Sequence, residues 1–381
     1  METLYFAEDP VSGSGSPVRE CMRRLPVQCK PVAIAAVLAV TATASAMADE
    51  IPDFSVSADL RLRHESIRRE ADTDNERQRY RGRVSFSAST PGDLEWELRV
   101  ATGNGDPVST NLDFGQGFRA ENVRLDRLWV RWAASDALHV DVGKMKNPLR
   151  RGGDSNLIWD SDLNPRGIAT SISAGPWFAV AGAFQMADSD RDELAPLVAI
   201  QGGVRLGAGD AGTFRAGLGY LGYGRIRGHP PLYDDRFDGN SVDADGNHRF
   251  DYDIVTLMAD YEFDARGIPL QLFTESARNT AVGTANRAFL VGIRAGGTDE
   301  SGKGQISWTW RDTEADSLVA VFTDSDFAGG ETDSRGHAVS LQFALSTHVV
   351  LGGTFIRSKT AVGSVASRQY DRVMLDMEFR F

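Results

Sequence analysis

Cysteine is almost absent from the chain, and the little there is lies near the amino terminus. Among 381 residues there are two cysteines, Cys21 and Cys29. Both precede Asp49, where we predict that the mature chain begins. A mature chain without cysteine excludes disulfides, iron–sulfur clusters and thiol catalysis. We therefore expect no cofactor held by thiolates, and no other cofactor is indicated.

Long apolar runs are also scarce. Residues 31–48 are small and apolar, three basic residues precede them closely, and they end in Ala46-Met47-Ala48. This pattern predicts a secretory signal peptide over residues 22–48, cleaved before Asp49. A transmembrane helix is the rival interpretation, but the run barely reaches spanning length and ends in a cleavage pattern. Residues 1–21 fit neither part, so we interpret them as an extension upstream of a true start at Met22, with residues 49–381 as the mature domain.

Basic charge is in deficit. The formal net charge is -12, and the presequence contributes nothing to it because its four basic residues match its four acidic ones. The mature chain therefore keeps the whole negative charge. This balance argues against a nucleic-acid partner, since such proteins present basic surfaces.

What the chain does contain is a two-residue periodicity. In residues 370–381 the side chains of Val373, Leu375, Met377, Phe379 and Phe381 alternate with Arg372, Met374, Asp376, Glu378 and Arg380. Successive side chains of a strand point to opposite faces, so this segment has one apolar and one largely ionic face. Sixteen segments share such a pattern, of which the sixth and eleventh are the least distinct: 53–65, 79–90, 94–100, 128–132, 138–142, 167–174, 177–186, 197–207, 213–223, 252–263, 268–277, 287–296, 304–312, 337–346, 348–357 and 369–381.

The links between these segments alternate in length. Short links such as 134–136 and 346–347 alternate with long polar ones such as 66–78, 144–166 and 313–335. Short turns on one side, long loops on the other and an even strand count are typical of an all-β, transmembrane antiparallel β-barrel of the bacterial outer membrane, with short periplasmic turns and long extracellular loops. A soluble propeller would not sort its links in this way. About sixteen strands enclose a lumen too wide for side chains to fill, so we expect a water-filled channel.

The inward face of the first four predicted strands is rich in arginine. The alternation directs eight arginines inward, and neighbouring strands would place them on one wall. Two interpretations are open: this basic wall constricts the channel, or it pairs across strands with Asp59, Glu95 and Glu97 and holds the wall together. The predicted wall consists of Arg61, Arg63, Arg79, Arg81, Arg83, Arg99, Arg127 and Arg131.

The long link 144–166 carries three acids, Asp154, Asp160 and Asp162. If this link folds into the lumen opposite the basic wall, it forms a narrow passage with a transverse field. Such a field discriminates ions by charge.

The other motifs in the sequence do not indicate a functional site. Asp243, Asp245, Asn247 and Asp251 have part of the spacing of a calcium loop, but Ile254 stands where the twelfth-position glutamate belongs. The six histidines are scattered without metal-ligand spacing, so no metal site is predicted. A barrel hydrolase would need a nucleophile beside a histidine, and no motif supplies one. Most tryptophans are interpreted as interfacial girdle residues, whereas the strand phase directs Trp129 inward.

Four segments together resemble a known family: 101–111 (ATGNGDPVSTN), 142–149 (VGKMKNPL), 159–165 (WDSDLNP) and 320–330 (AVFTDSDFAGG). In this order, and with the terminal Phe381, they are similar to the putative porins of Gram-negative outer membranes. The resemblance implies a channel for passive diffusion of small hydrophilic solutes and ions, not an enzyme. It implies an outer-membrane location, lipid and lipopolysaccharide as neighbours, the barrel assembly machinery as a partner that reads Phe381, and trimeric assembly. The alternatives are a channel specific for anions or carboxylates and, in a different class, an outer-membrane hydrolase.

Overall fold

The computed structural model describes residues 52–381, apart from 71–72, 91–92, 116–119, 187–194, 208 and 234–235. The predicted extension (1–21) and signal peptide (22–48) lie outside the described residues, as does the whole of the acidic stretch 188–193 (DSDRDE). The helical segments that are described are single 3₁₀ turns, and none of them is long or apolar enough to cross a membrane.

More than half of the described chain forms one antiparallel sheet. The strands are β1 (Asp53–Arg69), β2 (Asn75–Ser89), β3 (Leu94–Thr102), β4 (Leu112–Asp113), β5 (Val123–Ser135), β6 (Leu138–Lys144), β7 (Arg166–Ala174), β8 (Trp177–Gln185), β9 (Pro196–Gly207), β10 (Thr213–Tyr223), β11 (Tyr252–Ala265), β12 (Ile268–Asn279), β13 (Arg287–Gly296), β14 (Gly304–Thr313), β15 (Ser334–Ser346), β16 (Val349–Thr360) and β17 (Arg368–Arg380). The two-residue β4 pairs with β2 beyond the end of β3. The other sixteen strands form the barrel, which confirms the predicted fold class.

The sheet closes because β1 pairs with both β2 and β17. The ladder between β1 and β17 runs from Asp59 opposite Arg380 to Arg69 opposite Tyr370. Phe381 extends it, since its backbone N–H donates to the Ala58 carbonyl at 2.9 Å. Among the described strands, closure leaves no unpaired sheet edge, as a bilayer requires.

The two faces of each strand differ as the periodicity predicts. In β17, Leu375 is 55% exposed on the outer surface, whereas the inward Arg372 is 2% exposed. Trp132, Trp177, Trp308 and Tyr220 are also exposed among the large apolar side chains. An outer surface of apolar and aromatic residues around a charged interior matches a lipid-facing wall.

The first hairpin is longer than predicted. The predicted loop 66–78 is mostly strand, because β1 extends to Arg69 and β2 starts at Asn75, with Ser66 opposite Glu76. Most of these residues are polar and they give no apolar alternation, yet their backbones continue the ladder. Cross-strand hydrogen bonds do not depend on side-chain polarity, so periodicity underestimates strands that rise above the bilayer.

Long loops fold into the lumen and share a buried apolar cluster. Leu157 and Trp159 of the β6–β7 loop, Ile226 of the β10–β11 loop and Leu318 of the β14–β15 loop are all almost fully buried. The Trp159 indole N–H donates to the Tyr223 hydroxyl at 2.8 Å. This cluster fills the lumen beside β7–β13, so the basic wall lies on the other side of the barrel.

Gly203 of β9 is required by close packing. A Cβ there would lie 2.2 Å from the Ala216 carbonyl oxygen and 2.4 Å from the Phe178 ring, whereas one at Gly207 of the same strand would meet nothing within 4 Å. We expect Gly203→Ala to destabilise the barrel by about 1–3 kcal/mol through overpacking. Urea unfolding of the barrel in micelles should show a lower midpoint for Gly203→Ala and an unchanged one for Gly207→Ala. Equal midpoints for the two variants would contradict this packing.

Candidate functional site

The eight predicted arginines lie on adjacent strands. Arg61 and Arg63 of β1 stand directly opposite Arg81 and Arg79 of β2. Arg99 of β3 stands opposite Arg127 of β5. Like charges directly opposite each other destabilise a sheet unless carboxylates separate them.

Cross-strand carboxylates supply part of that compensation. Asp59 accepts from Arg81 and from Arg83, each at 2.8 Å. Glu97 lies 2.9 Å from Arg127, and Glu95 lies 3.7 Å from Arg131. The pairing with Asp59, Glu95 and Glu97, one of the two interpretations of the sequence, is thus present in the structure.

Other carboxylates come from distant parts of the chain. Arg63 donates to Asp376 of β17 at 2.7 Å and to Asp326 of the β14–β15 loop at 3.0 Å. The fully buried Glu65 accepts from Arg372 at 2.9 Å. Further pairs join Arg79 to Asp113 at 3.0 Å, Arg99 to Asp126 at 2.6 Å and Arg131 to Asp141 at 2.7 Å. The wall is therefore a network of ions rather than a bare positive surface.

Arg61 is the exception. Its Nη2 donates to the Asn111 side-chain oxygen at 2.7 Å. Among the described residues no carboxylate comes within ion-pair distance of it, whereas each of the other seven arginines has at least one. Within the described part of the chain, Arg61 is therefore the arginine of this wall without a contact carboxylate, although Asp376 and Asp326 act on it at longer range.

The β6–β7 loop crosses the lumen. At its start, the backbone N–H of Arg150 donates to the Gln201 side chain at 2.8 Å, and Arg294 donates to the Gly153 carbonyl at 2.9 Å. The Ser155 hydroxyl then hydrogen-bonds to the buried Glu275 of β12. Further along, the loop reaches the opposite side of the barrel at Asp162. It is fixed at both walls and leaves the lumen narrower than the sixteen strands alone would.

Asp162 is the acid of this loop that reaches the basic wall. Its carboxylate lies 3.6 Å from Arg83 and accepts from the Thr110 hydroxyl at 2.9 Å. Burial alone would raise the pKa of Asp162, but Arg81 and Arg83 outweigh it and hold that pKa below its usual range. Asp162 is therefore a charged partner of the wall.

The other two acids lie elsewhere. Asp160 is buried and accepts from the Ser325 backbone N–H at 3.0 Å. Burial raises the pKa of Asp160 well above its usual range, and the neighbouring Asp324 and Asp162 add to this effect. Asp154 is exposed and interacts electrostatically with Arg215 of β10, away from the eight arginines. The structure does not bring the three acids together as one row.

The β14–β15 loop holds site residues that the sequence analysis missed. Asp326 lies 2.8 Å from Arg372 besides its bond to Arg63, and Asp324 lies 3.3 Å from Arg311 of β14. Burial opposes the ionisation of Asp326, but Arg372 and Arg63 outweigh it and lower its pKa well below the usual range. The signal was available: residues 318–322 (LVAVF) form an apolar run in a link too long to be a turn, and such a run must be buried somewhere.

Trp129 and the acidic loop motif at 243–247 form local contacts. Trp129 faces inward, where its indole N–H donates to Glu97 at 2.8 Å. The Asp243 carboxylate accepts hydrogen bonds from the backbone N–H groups of Asp245 and Asn247 at 3.0 and 2.9 Å. These bonds stabilise a local turn of the loop. The described part of the chain contains no group of three or more potential metal-ligating side chains.

Several solved structures share this fold. The Pseudomonas putida OprB structure at high pH has a TM-score of 0.59 at 14% identity, covering 86% of this chain and 94% of that one. The low-pH structure of the same protein has a TM-score of 0.51 at 13% identity, covering 86% and 92%. A mutant of the Rh. blastica porin has a TM-score of 0.50 at 13% identity, covering 86% of this chain and all of that one. No curated protein matches the sequence.

The family comparison covers far more of the sequence than any short motif. A profile described as putative porin matches residues 44–247 and 241–381, which together take in the whole barrel. The sixteen-stranded barrel, its ionic interior and its inward loops agree with that match. The chain belongs to the putative porin family, and it is an outer-membrane channel for passive diffusion, not an enzyme.

Proposed function

We propose that this porin passes small hydrophilic solutes through a passage that has the basic wall on one side and the β6–β7 and β14–β15 loops on the other. We also propose that the passage prefers anions. The docking of Asp162 against Arg83 and of Asp326 against Arg63 supports a narrow passage at this level. Fixed charges close to a narrow aqueous path act strongly on passing ions, since they replace part of the hydration shell.

One observation carries the proposed preference for anions. Arg61 faces the lumen, is half-buried, and has an amide in place of a carboxylate as its partner. A contact pair of arginine and carboxylate largely cancels at a distance, whereas a guanidinium without a contact carboxylate keeps more of its field, even with Asp376 and Asp326 acting on it at longer range. Anions or carboxylates passing the wall would therefore be favoured over cations of the same size.

Replacing Arg61 by glutamine tests this directly. We expect the anion-to-cation permeability ratio of Arg61→Gln to fall by about twofold or more, because one unit charge beside the path is removed. The reversal potential across a planar bilayer in a salt gradient measures this ratio. Arg335→Gln is the matched control, since Arg335 is exposed and pairs with Asp312 at 2.7 Å. An unchanged reversal potential in Arg61→Gln would refute the assignment.

A channel specific for one carboxylate is the sharper version of the same proposal. Guanidinium groups bind carboxylates in a bidentate geometry, which a lone Arg61 offers to a passing solute. Saturable block of the ion current by one carboxylate would favour it over general diffusion.

Biogenesis and assembly form a second part of the proposal. We infer export by a signal peptide over residues 22–48, insertion next to lipid and lipopolysaccharide, and recognition of Phe381 by the barrel assembly machinery. The position of Phe381 at the β1–β17 closure supports a role late in barrel formation. A homotrimer is also proposed, and heat-sensitive oligomers on a mildly denaturing gel would reveal it.

A further inference from the structure

Three inward-facing arginines lie near the periplasmic end of the barrel, apart from the basic wall. Arg205 of β9 and Arg215 of β10 are directly opposite in the ladder, with Cα atoms about 5 Å apart. Both lie two residues from the short link between these strands. Short links face the periplasm in barrels of this kind. Arg150 of the β6–β7 loop is the third.

The position of Arg150 is fixed on both sides. Its backbone N–H donates to the Gln201 side-chain oxygen and its carbonyl accepts from the Gln201 amide, both at 2.8 Å. Its guanidinium lies over the Phe178 ring, 4.8 Å from the ring centroid. Phe178 in turn packs against Gly203, where a Cβ would clash with the ring. The guanidinium is therefore held in place before any ligand arrives, which reduces the entropy cost of binding.

The charges of this group are not balanced. Arg215 pairs with Asp260 and Glu262, each at 2.8 Å, and Asp154 acts on it at longer range. Within the part of the chain that the structure describes, neither Arg150 nor Arg205 has a carboxylate at ion-pair distance. Burial lowers the pKa of Arg150, and the like charges of Arg215 and Arg205 lower it further. A bound anion would relieve that repulsion.

The three arginines share one recess. It has a volume of about 290 Å³, and the inward Ser173 of β7 lines it together with Arg150, Arg205 and Arg215. Guanidinium groups present paired N–H donors that match the oxygens of phosphate, and a serine hydroxyl adds a further donor. The recess is large enough for phosphate or for the phosphate group of a small ester.

We propose that Arg150, Arg205 and Arg215 form an oxyanion site of the phosphate class at the periplasmic end of the lumen, distinct from the basic wall. Anions that have passed the basic wall would occupy it before they leave, so its role in transport rests on the proposed channel function. The affinity must be weak, because a channel that holds its solute tightly does not conduct.

Block of the chloride current by inorganic phosphate tests the site. Single channels of the whole barrel in planar bilayers are titrated with phosphate at constant ionic strength. We expect saturable block in the wild type and at least a fivefold higher half-blocking concentration in Arg150→Gln/Arg205→Gln. The control Arg266→Gln/Lys303→Gln removes the same charge from two exposed positions in the periplasmic turns and should match the wild type. The proposal fails if phosphate blocks Arg150→Gln/Arg205→Gln at the same concentration as the wild type. It also fails if the control needs as large an increase in the half-blocking concentration.

Other anions, tested in the same way, show which ligand the site accepts. Equal block by phosphate and glycerol phosphate supports a site open to phosphate esters, and block by phosphate alone supports one for the free ion. Equal block by acetate would indicate charge screening and overturn the site. Equilibrium binding of radiolabelled phosphate to the barrel in micelles should be weaker in Arg150→Gln/Arg205→Gln than in the wild type, even if a variant conducts poorly; equal binding would count against the site. If Arg61→Gln leaves the reversal potential unchanged while the block depends on Arg150 and Arg205, the proposed preference fails and the site stands.

Discussion

Replacing both Arg81 and Arg83 by alanine is expected to make the channel prefer cations. Asp59 accepts from both arginines at 2.8 Å, Glu378 lies 3.5 Å from Arg81, and Asp162 lies 3.6 Å from Arg83. The double variant removes two positive charges and leaves these three carboxylates without them. The inner wall would then change sign where the passage is narrow.

The size of the effect follows from Coulomb's law. Even in water, a unit charge about 5 Å from an ion changes its energy by about 0.8 kcal/mol. Two such charges amount to about 1.7 kcal/mol, which is more than tenfold in an equilibrium constant. We therefore expect the reversal potential in a salt gradient to change sign, not merely to shrink as in Arg61→Gln.

A matched control separates this local effect from a change in net charge. Arg335→Ala/Arg357→Ala also removes two arginines, but both are exposed and pair with exposed or half-buried acids, Asp312 and Asp371. Its reversal potential should equal that of the wild type. In a second control, adding Asp59→Asn to the Arg81/Arg83 variant should move the potential part of the way back. If the Arg81/Arg83 variant keeps its anion preference, the basic wall does not border the conducting path.

The barrel itself could be predicted because its physics is local. A strand between lipid and water must alternate, so Val373, Leu375 and Met377 reveal the outward phase of β17 without any knowledge of its neighbours. The same rule placed the inward arginines of β1 and β2. The rule did not predict the extracellular ends of β1 and β2. There Ser66 and Glu76 pair above the apolar band, where no lipid enforces alternation.

The site could not be predicted to the same depth, because its contacts join distant segments. Asp160 and Asp162 are two residues apart, yet their pKa values move in opposite directions. Asp162 meets Arg83 and Arg81, whereas Asp160 lies buried next to Asp324. Nothing within the β6–β7 loop distinguishes the two acids. The opposite directions of the two pKa values arise from β2 and from the β14–β15 loop. The periodicity of the sequence does not predict where these two segments lie relative to the acids.

Arg311 contacts both inward loops. It is 3% exposed, lies 3.3 Å from Asp324, donates to the Leu157 carbonyl at 3.4 Å and covers the Phe327 ring at 4.8 Å. One side chain of β14 thus contacts both the β6–β7 and the β14–β15 loop. Its loss would weaken the docking of the β14–β15 loop most, because the β6–β7 loop is also held by Gln201, Arg294 and Glu275.

We expect Arg311→Met to undock the β14–β15 loop. Methionine keeps much of the apolar stem but leaves the half-buried Asp324 without its cation. Stranding one member of a fully buried ion pair costs about 3–5 kcal/mol, which is the upper bound here. The matched control Arg335→Met breaks an exposed pair on the neighbouring strand, which is worth about 0–1 kcal/mol. The measurements are single-channel conductance, expected to be larger and noisier, and chymotrypsin cleavage at Phe322 and Phe327, both buried in the wild type.

The pH dependence of this variant identifies the cause. Burial raises the pKa of Asp324, and Arg311 is the main group that lowers it. Without Arg311, burial and the charge of Asp326 raise the pKa of Asp324 further, against the smaller opposing effects of the Asp326 backbone N–H and Arg372, so the docked loop favours the protonated acid. Its docking should then be retained at low pH and lost as the pH rises through the raised pKa. Asp324→Asn added to Arg311→Met should restore slow cleavage at neutral pH. If the double variant is cleaved as fast as Arg311→Met, the stranded carboxylate is not what drives the loop out.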